Sequence, residues 1–161
     1  MPDGMLTEPG LPERTAAVRR ATARLCLQLG WAVVHEMPLP NYRRADILAL
    51  RPDGGFACIE VKSGARDYLC DGKWPEYREF CDALYFAVDL DFPLALLPED
   101  TGLIVVSAPY AEMLREAPEH RLSPSRRRAL LHRFALLAAM RLAALEDPAG
   151  HAEHRAALLV E

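Results

Sequence analysis

Residues 45–63 read ADILALRPDGGFACIEVKS, and this stretch decides the fold. Residues 45–50 and 56–63 are apolar and β-branched enough to predict two strands. Between them, Pro52-Asp53-Gly54-Gly55 predicts a turn, because proline presets one dihedral and glycine supplies positive φ. The pair is therefore a hairpin. Along its second strand Ala57, Ile59 and Val61 share the face toward a core, while Cys58, Glu60 and Lys62 share the other. Glu60 and Lys62 then lie ~6.6 Å apart, at a rise of ~3.3 Å per residue. If Leu50 pairs with Phe56, Asp46 falls opposite Glu60, with Cβ atoms ~5 Å apart on one face. A slip of one residue would turn Asp46 to the opposite face.

Two carboxylates that close repel unless a cation lies between them. Oxygen ligands completed by water suit Mg²⁺ or Mn²⁺, and such a cation lowers the pKa of a bound water and stabilises charge on a phosphate. Lys62 could orient or deprotonate the attacking water, or stabilise the pentacovalent transition state. Asp46, Glu60 and Lys62 are thus a candidate catalytic set for phosphodiester hydrolysis. Against this stands the surface reading, in which an E-x-K triplet is a solvated ion pair of little worth. The apolar flanks of both strands, and Ser63-Gly64 after the triplet, favour the site.

Working outward, residues 13–29 place Ala17, Val18, Ala21, Leu25, Gln28 and Leu29 near a 3.6-residue period, and Gly30 stands where that helix should stop. Residues 31–36 (WAVVHE) read as a strand. Downstream come a short helix at 75–81 with proline in its first turn, strands at 84–88 and 102–107, and a short helix at 111–116. Ser123 caps a long helix over 124–145, with Leu130, Phe134, Leu137, Ala138, Leu142 and Leu145 on its apolar face. This order predicts an α/β or α+β fold, a central mixed β-sheet flanked by helices. The reading is one domain over 1–161, with 1–11 frayed and 147–161 a peripheral terminal helix.

The chain has 161 residues, 51% apolar and 26% charged, enough for one domain with a real core. No apolar run approaches the roughly 20 residues that span a membrane. The acidic, Pro- and Gly-containing start lacks the basic and apolar regions of a secretory signal, so the expectation is a cytoplasmic protein with no membrane partner. Cys26, Cys58, Cys70 and Cys81 form no C-x-x-C pair, which argues against zinc; all four are expected to be buried thiols. The net charge of −4 argues against coating nucleic acid through bulk positive charge. It is compatible with an acidic metal site.

The pattern Asp46…Glu60-Val61-Lys62 resembles the PD-(D/E)XK superfamily of restriction endonucleases and repair nucleases, with Ala45 in place of the superfamily's proline. The resemblance implies a restriction-endonuclease-like core, and it makes the Val61 carbonyl a metal ligand beside Asp46 and Glu60. Members of that superfamily often add an acidic residue near the metal. Glu36, ending the first strand beside the Asp46 strand, is the better candidate than Glu13; the alternative is that Glu36 simply pairs with Arg44. More specifically, the chain is similar to the MmcB-like family of bacterial DNA repair proteins. The residues that carry this are Arg43-Arg44-Ala45-Asp46-Ile47, Ile59-Glu60-Val61-Lys62-Ser63, Asp67-Tyr68, Asp71, Lys73-Trp74-Pro75-Glu76-Tyr77 and Cys81-Asp82-Ala83-Leu84-Tyr85-Phe86-Ala87-Val88. The similarity continues through residues 98–105 and 116–122. It implies a role in DNA damage and DNA as a partner.

Around this centre, Arg43 and Arg44 at the mouth of the site are candidate phosphate contacts. Lys73 is another, and Trp74 or Tyr77 could stack on bases. Packing onto the sheet is the favoured reading for Trp74, while Lys73 and Tyr77 stay open. Asp67 and Asp71 either extend the acidic cluster or turn a loop, the second being favoured. Arg126, Arg127, Arg128, His132 and Arg133 form a basic run that suits an anionic partner or a solvated face. Three functions compete: a Mg²⁺-dependent DNA nuclease in repair, an inactive nuclease-fold adaptor for DNA or a repair-protein partner, and a plain interaction domain. RNA stays open as a substrate. The apolar C-terminal helix is either core or a homodimer surface.

Overall fold

The computed structural model describes residues 10–158; of the stretch 1–11 expected to be frayed, residues 1–9 lie outside it, while Leu11 already opens a helix. The chain forms two compact units, one ending at Leu122 and one beginning at Ser123, a finer division than the single domain read from the sequence.

In the first unit, α1 (Leu11–Gln28) starts from extended Gly10 with proline in its first turn and buries Val18, Ala21, Thr22 and Cys26. Gly30, at φ 75°, ends it because a left-handed residue reverses the chain cheaply only in glycine. The buried stripe differs from the expected one: Gln28 and Leu29 are exposed, and Thr22 sits inside it. Thr22 is tolerated there because its hydroxyl donates to the Val18 carbonyl at 2.8 Å.

Six strands follow: β1 (Ala32–Pro38), β2 (Arg44–Leu50), β3 (Phe56–Lys62), β4 (Ala83–Asp89), β5 (Gly102–Ser107) and β6 (Tyr110–Arg115). They lie side by side in chain order. β1, β2 and β3 pair antiparallel, β3, β4 and β5 pair parallel, and β6 returns antiparallel to β5. The β2–β3 turn closes as expected: Gly54 donates to the Arg51 carbonyl at 2.9 Å, and it adopts φ 83°.

Strand β3 is buried along its whole length. On one face Ala57, Ile59 and Val61 join Val18, Ala21 and Cys26 of α1, with Ile47, Tyr85 and Ile104, in the main core. On the other face a second cluster contains Phe86, Val88, Phe92, Leu97 and Leu103. The crossover from β3 to β4 covers that face with α2 (Ala65–Cys70) and a 3₁₀ turn, Trp74–Phe80. Tyr68 and Trp74 pack edge-on against Phe86, at centroid distances of 5.6 and 5.5 Å, so Trp74 is a packing residue.

Residues 111–116 were expected to be helical and instead form β6. Ala, Glu, Met and Leu favour a helix locally, but pairing with the otherwise open edge of β5 outweighs a propensity difference that small. Cys26, Cys58 and Cys81 are buried, whereas Cys70 is exposed. It ends α2, a helix that buries none of its residues.

The second unit holds α3 (Pro124–Glu146) and α4 (Pro148–Leu158). The Ser123 hydroxyl accepts from the Arg126 amide at 3.3 Å, the expected cap. Leu130 and Phe134 are buried, but Leu142 and Leu145 are exposed, so the expected apolar face is buried only in its first half. Among the described residues no helix is long and apolar enough to cross a membrane.

Candidate active site

The β2–β3 register runs from Leu50↔Phe56 to Ile47↔Ile59, the alignment that puts Asp46 beside Glu60. Beyond that point side chains replace the ladder. The Asp46 amide donates to Glu60 Oε1 at 3.3 Å, and the Val61 amide donates to Asp46 Oδ2 at 2.8 Å. Each carboxylate thus satisfies an amide that the parting strands leave open.

Glu60 is 3% exposed and Lys62 is 5% exposed, which rules out the solvated surface pair. Burial, reinforced by the Asp46 charge, pushes the Glu60 carboxyl up to about 9. Burial also raises Asp46, although the Val61 amide works the other way. At neutral pH the pair therefore retains a proton unless a cation replaces it.

Lys62 Nζ lies 2.6 Å from Asp71 Oδ2. Burial works against the ammonium, but the Asp71 carboxylate outweighs it and holds Lys62 above its ordinary value. Asp71 also accepts from the Lys73 amide at 3.1 Å, so it turns the loop and belongs to the site. Asp67 accepts from the Ser63 amide at 3.4 Å, and its charge also acts on Asp46 and Lys62.

A cleft of about 610 Å³ opens beside Asp46, with Arg43, Arg44, Tyr42 and Tyr77 among its walls. Arg43 Nε is 2.7 Å from Glu76, whereas Arg44 projects outward, its side chain 66% exposed. Tyr77 is 8% exposed, and its hydroxyl donates to the Arg44 carbonyl at 3.1 Å; it is a wall of the cleft rather than an open stacking face. Lys73 is exposed at the start of the 3₁₀ turn.

Glu36 occupies the position across from Asp46, between the pairs His35↔Ile47 and Met37↔Ala45. Its backbone has φ 49°, and its carboxylate lies 3.6 Å from Arg19 and 3.9 Å from Arg44. The pairing with Arg44 is present, with Arg19 added. Among the described residues no three His, Cys, Asp or Glu side chains form a metal-holding group.

Sequence reasoning undervalued Asp71 and passed over Tyr42. Asp71 is nine residues from Lys62, a spacing with no motif behind it. Tyr42 carries no sequence signal at all; its exposure and backbone mark it out.

A six-stranded mixed sheet with helices against it, carrying Asp46 on one strand and Glu60-Val61-Lys62 on the next, is a restriction-endonuclease-like core. The family described as DNA repair protein MmcB-like matches residues 3–149, and the chain belongs to it. A solved structure of a protein of unknown function from Silicibacter pomeroyi superposes with a TM-score of 0.80 at 41% identity, covering 90% of this chain and 97% of that one. No curated protein matches the chain.

Proposed function

We propose that the protein is a Mg²⁺- or Mn²⁺-dependent DNA nuclease acting in repair. One observation carries this reading: the half-buried Asp46 and the buried Glu60 carboxyl are held together by each other's strands, and Glu60 is driven to about 9. Such a pair is costly without a cation.

The donor chemistry fits a hard divalent ion. Two carboxylates and the Val61 carbonyl leave places for water, which suits Mg²⁺, an ion that keeps several waters. When bound, the ion supplies an acidified water and charge for the phosphoryl oxygens. Asp46 and Glu60 would hold it. Lys62, kept charged by Asp71, acts as a fixed cation that stabilises developing phosphoryl charge rather than as a base. Arg44 and Lys73 contact backbone phosphates. Glu36 orients Arg44 through their ion pair.

Labelled single-stranded, duplex and flap DNAs with Mg²⁺ or Mn²⁺, beside Asp46→Asn and Lys62→Ala, test the reading. The parent cleaves at least one substrate and both folded variants lose cleavage by about 10²-fold or more. Retained cleavage in Asp46→Asn would sink it. The engagement of Lys62 by Asp71 at 2.6 Å favours a second reading, a non-cleaving adaptor that binds DNA or a repair partner. That reading expects DNA binding with no cleavage under any metal.

A further inference from the structure

The turn between β1 and β2 presents Tyr42 as a fully exposed residue. Its backbone is left-handed, φ 64°, a conformation that disfavours a bulky residue. That backbone runs against what folding alone selects, and strain of this kind concentrates at working surfaces.

The turn is nevertheless well held. Tyr42 donates to the Leu39 carbonyl at 3.1 Å, and Leu39 donates to the Arg43 carbonyl at 2.8 Å. The Asn41 side chain accepts from the Arg43 amide at 3.1 Å, and Arg43 clamps Glu76 at 2.7 Å. The ring is therefore presented from a braced platform, on the wall of the cleft that also contains Asp46 and Arg44.

We infer that Tyr42 is a stacking platform for an unpaired base, and that the cleft takes DNA with a single-stranded nucleotide beside Asp46. This rests on the reading that the Asp46 cleft binds DNA. Bases inside a duplex spend their faces on one another, so only an unpaired base offers one to an exposed ring. Stacking is also sequence-tolerant. It suits a chain of net charge −4, which gains little from bulk attraction to phosphate.

The test is fluorescence anisotropy in EDTA, where metal-dependent cleavage is off, with a labelled single strand and the duplex of the same sequence. The parent prefers the single strand. Tyr42→Ala loses about tenfold in single-strand affinity and almost nothing on duplex, while Tyr42→Phe keeps parental affinity. Tyr42→Gly, which relieves the backbone, loses the same affinity with no fall in melting temperature. Equal binding by Tyr42→Ala and parent, equal losses on both DNAs, or a parental preference for duplex would overturn the inference. Cleavage is then measured separately with Mg²⁺ or Mn²⁺. The expected binding pattern without cleavage sinks the nuclease reading and leaves Tyr42 standing; Asp46-dependent cleavage with Tyr42-independent binding does the reverse.

Discussion

Lys62 Nζ and Asp71 Oδ2 are 2.6 Å apart, with side-chain exposures of 7% and 24%. The lysine comes from the central strand and the aspartate from the end of α2, so this one ion pair ties the crossover to the site. Removing the carboxylate leaves an ammonium in a dry place. Asp71→Ala is expected to cost ~2–4 kcal/mol by urea denaturation. Replacing both residues by apolar ones should recover part of it. Additive losses in that double-mutant cycle would show that the pair is not coupled.

Glu60 sets the pH dependence of the metal-free protein. Its carboxyl moves from an ordinary 4.5 to about 9 on folding, chiefly through burial and then through Asp46. Folding therefore takes up a proton between those values. The contribution to stability is complete below about 4.5 and is lost as pH rises toward about 9. Glu60→Gln should flatten that fall in melting curves taken across the range. An unchanged slope would mean Glu60 is not the group responsible.

Titration calorimetry with Mn²⁺ tests the carboxylate pair directly. Binding should displace the Glu60 proton, so the measured heat should depend on the buffer's ionisation enthalpy at pH 7. Asp46→Asn should weaken binding by about tenfold or more. Equal affinity in parent and variant would remove Asp46 from the metal site.

Thiol labelling of the native protein should show one fast cysteine and three protected ones. Cys70 is exposed; Cys26, Cys58 and Cys81 are buried, and burial pushes the Cys26 thiol up to about 12. Only thiolate reacts. Cys70→Ser should abolish the fast phase.

Asp82 is 1% exposed and accepts from the Phe56 amide at 2.7 Å and the Leu122 amide at 3.0 Å. It joins the starts of β3 and β4 to the segment that closes the first unit. Asp82→Ala should cost about 3 kcal/mol in chemical denaturation, because it orphans the buried Phe56 amide and the part-buried Leu122 amide. A loss under about 1 kcal/mol would show that water replaces the carboxylate.

Much of this molecule was legible in its residues. The turn Pro52-Asp53-Gly54-Gly55 and the alternation of 56–62 determined a hairpin, and the hairpin's length determined that Asp46 returns to Glu60. Those are local rules: strand period, turn chemistry and loop length act over a few residues, so the sequence carries them openly. The cap at Ser123 and the stop at Gly30 are local in the same way.

Tertiary structure decided the rest. Residues 111–116 carry helix-favouring side chains and become β6, because an unpaired edge of β5 outweighs their propensity. In the sequence, Glu60 and Lys62 admit both a surface ion pair and a site. They are buried because the β3–β4 crossover folds α2 and the 3₁₀ turn over that face, and this burial drives Glu60 to about 9. Asp71 reaches Lys62 only through that packing, and Glu76, which Arg43 clamps beside Tyr42, comes from the same crossover. Burial and electrostatic coupling depend on what covers a residue from elsewhere in the chain, and no pattern of neighbours in sequence encodes it.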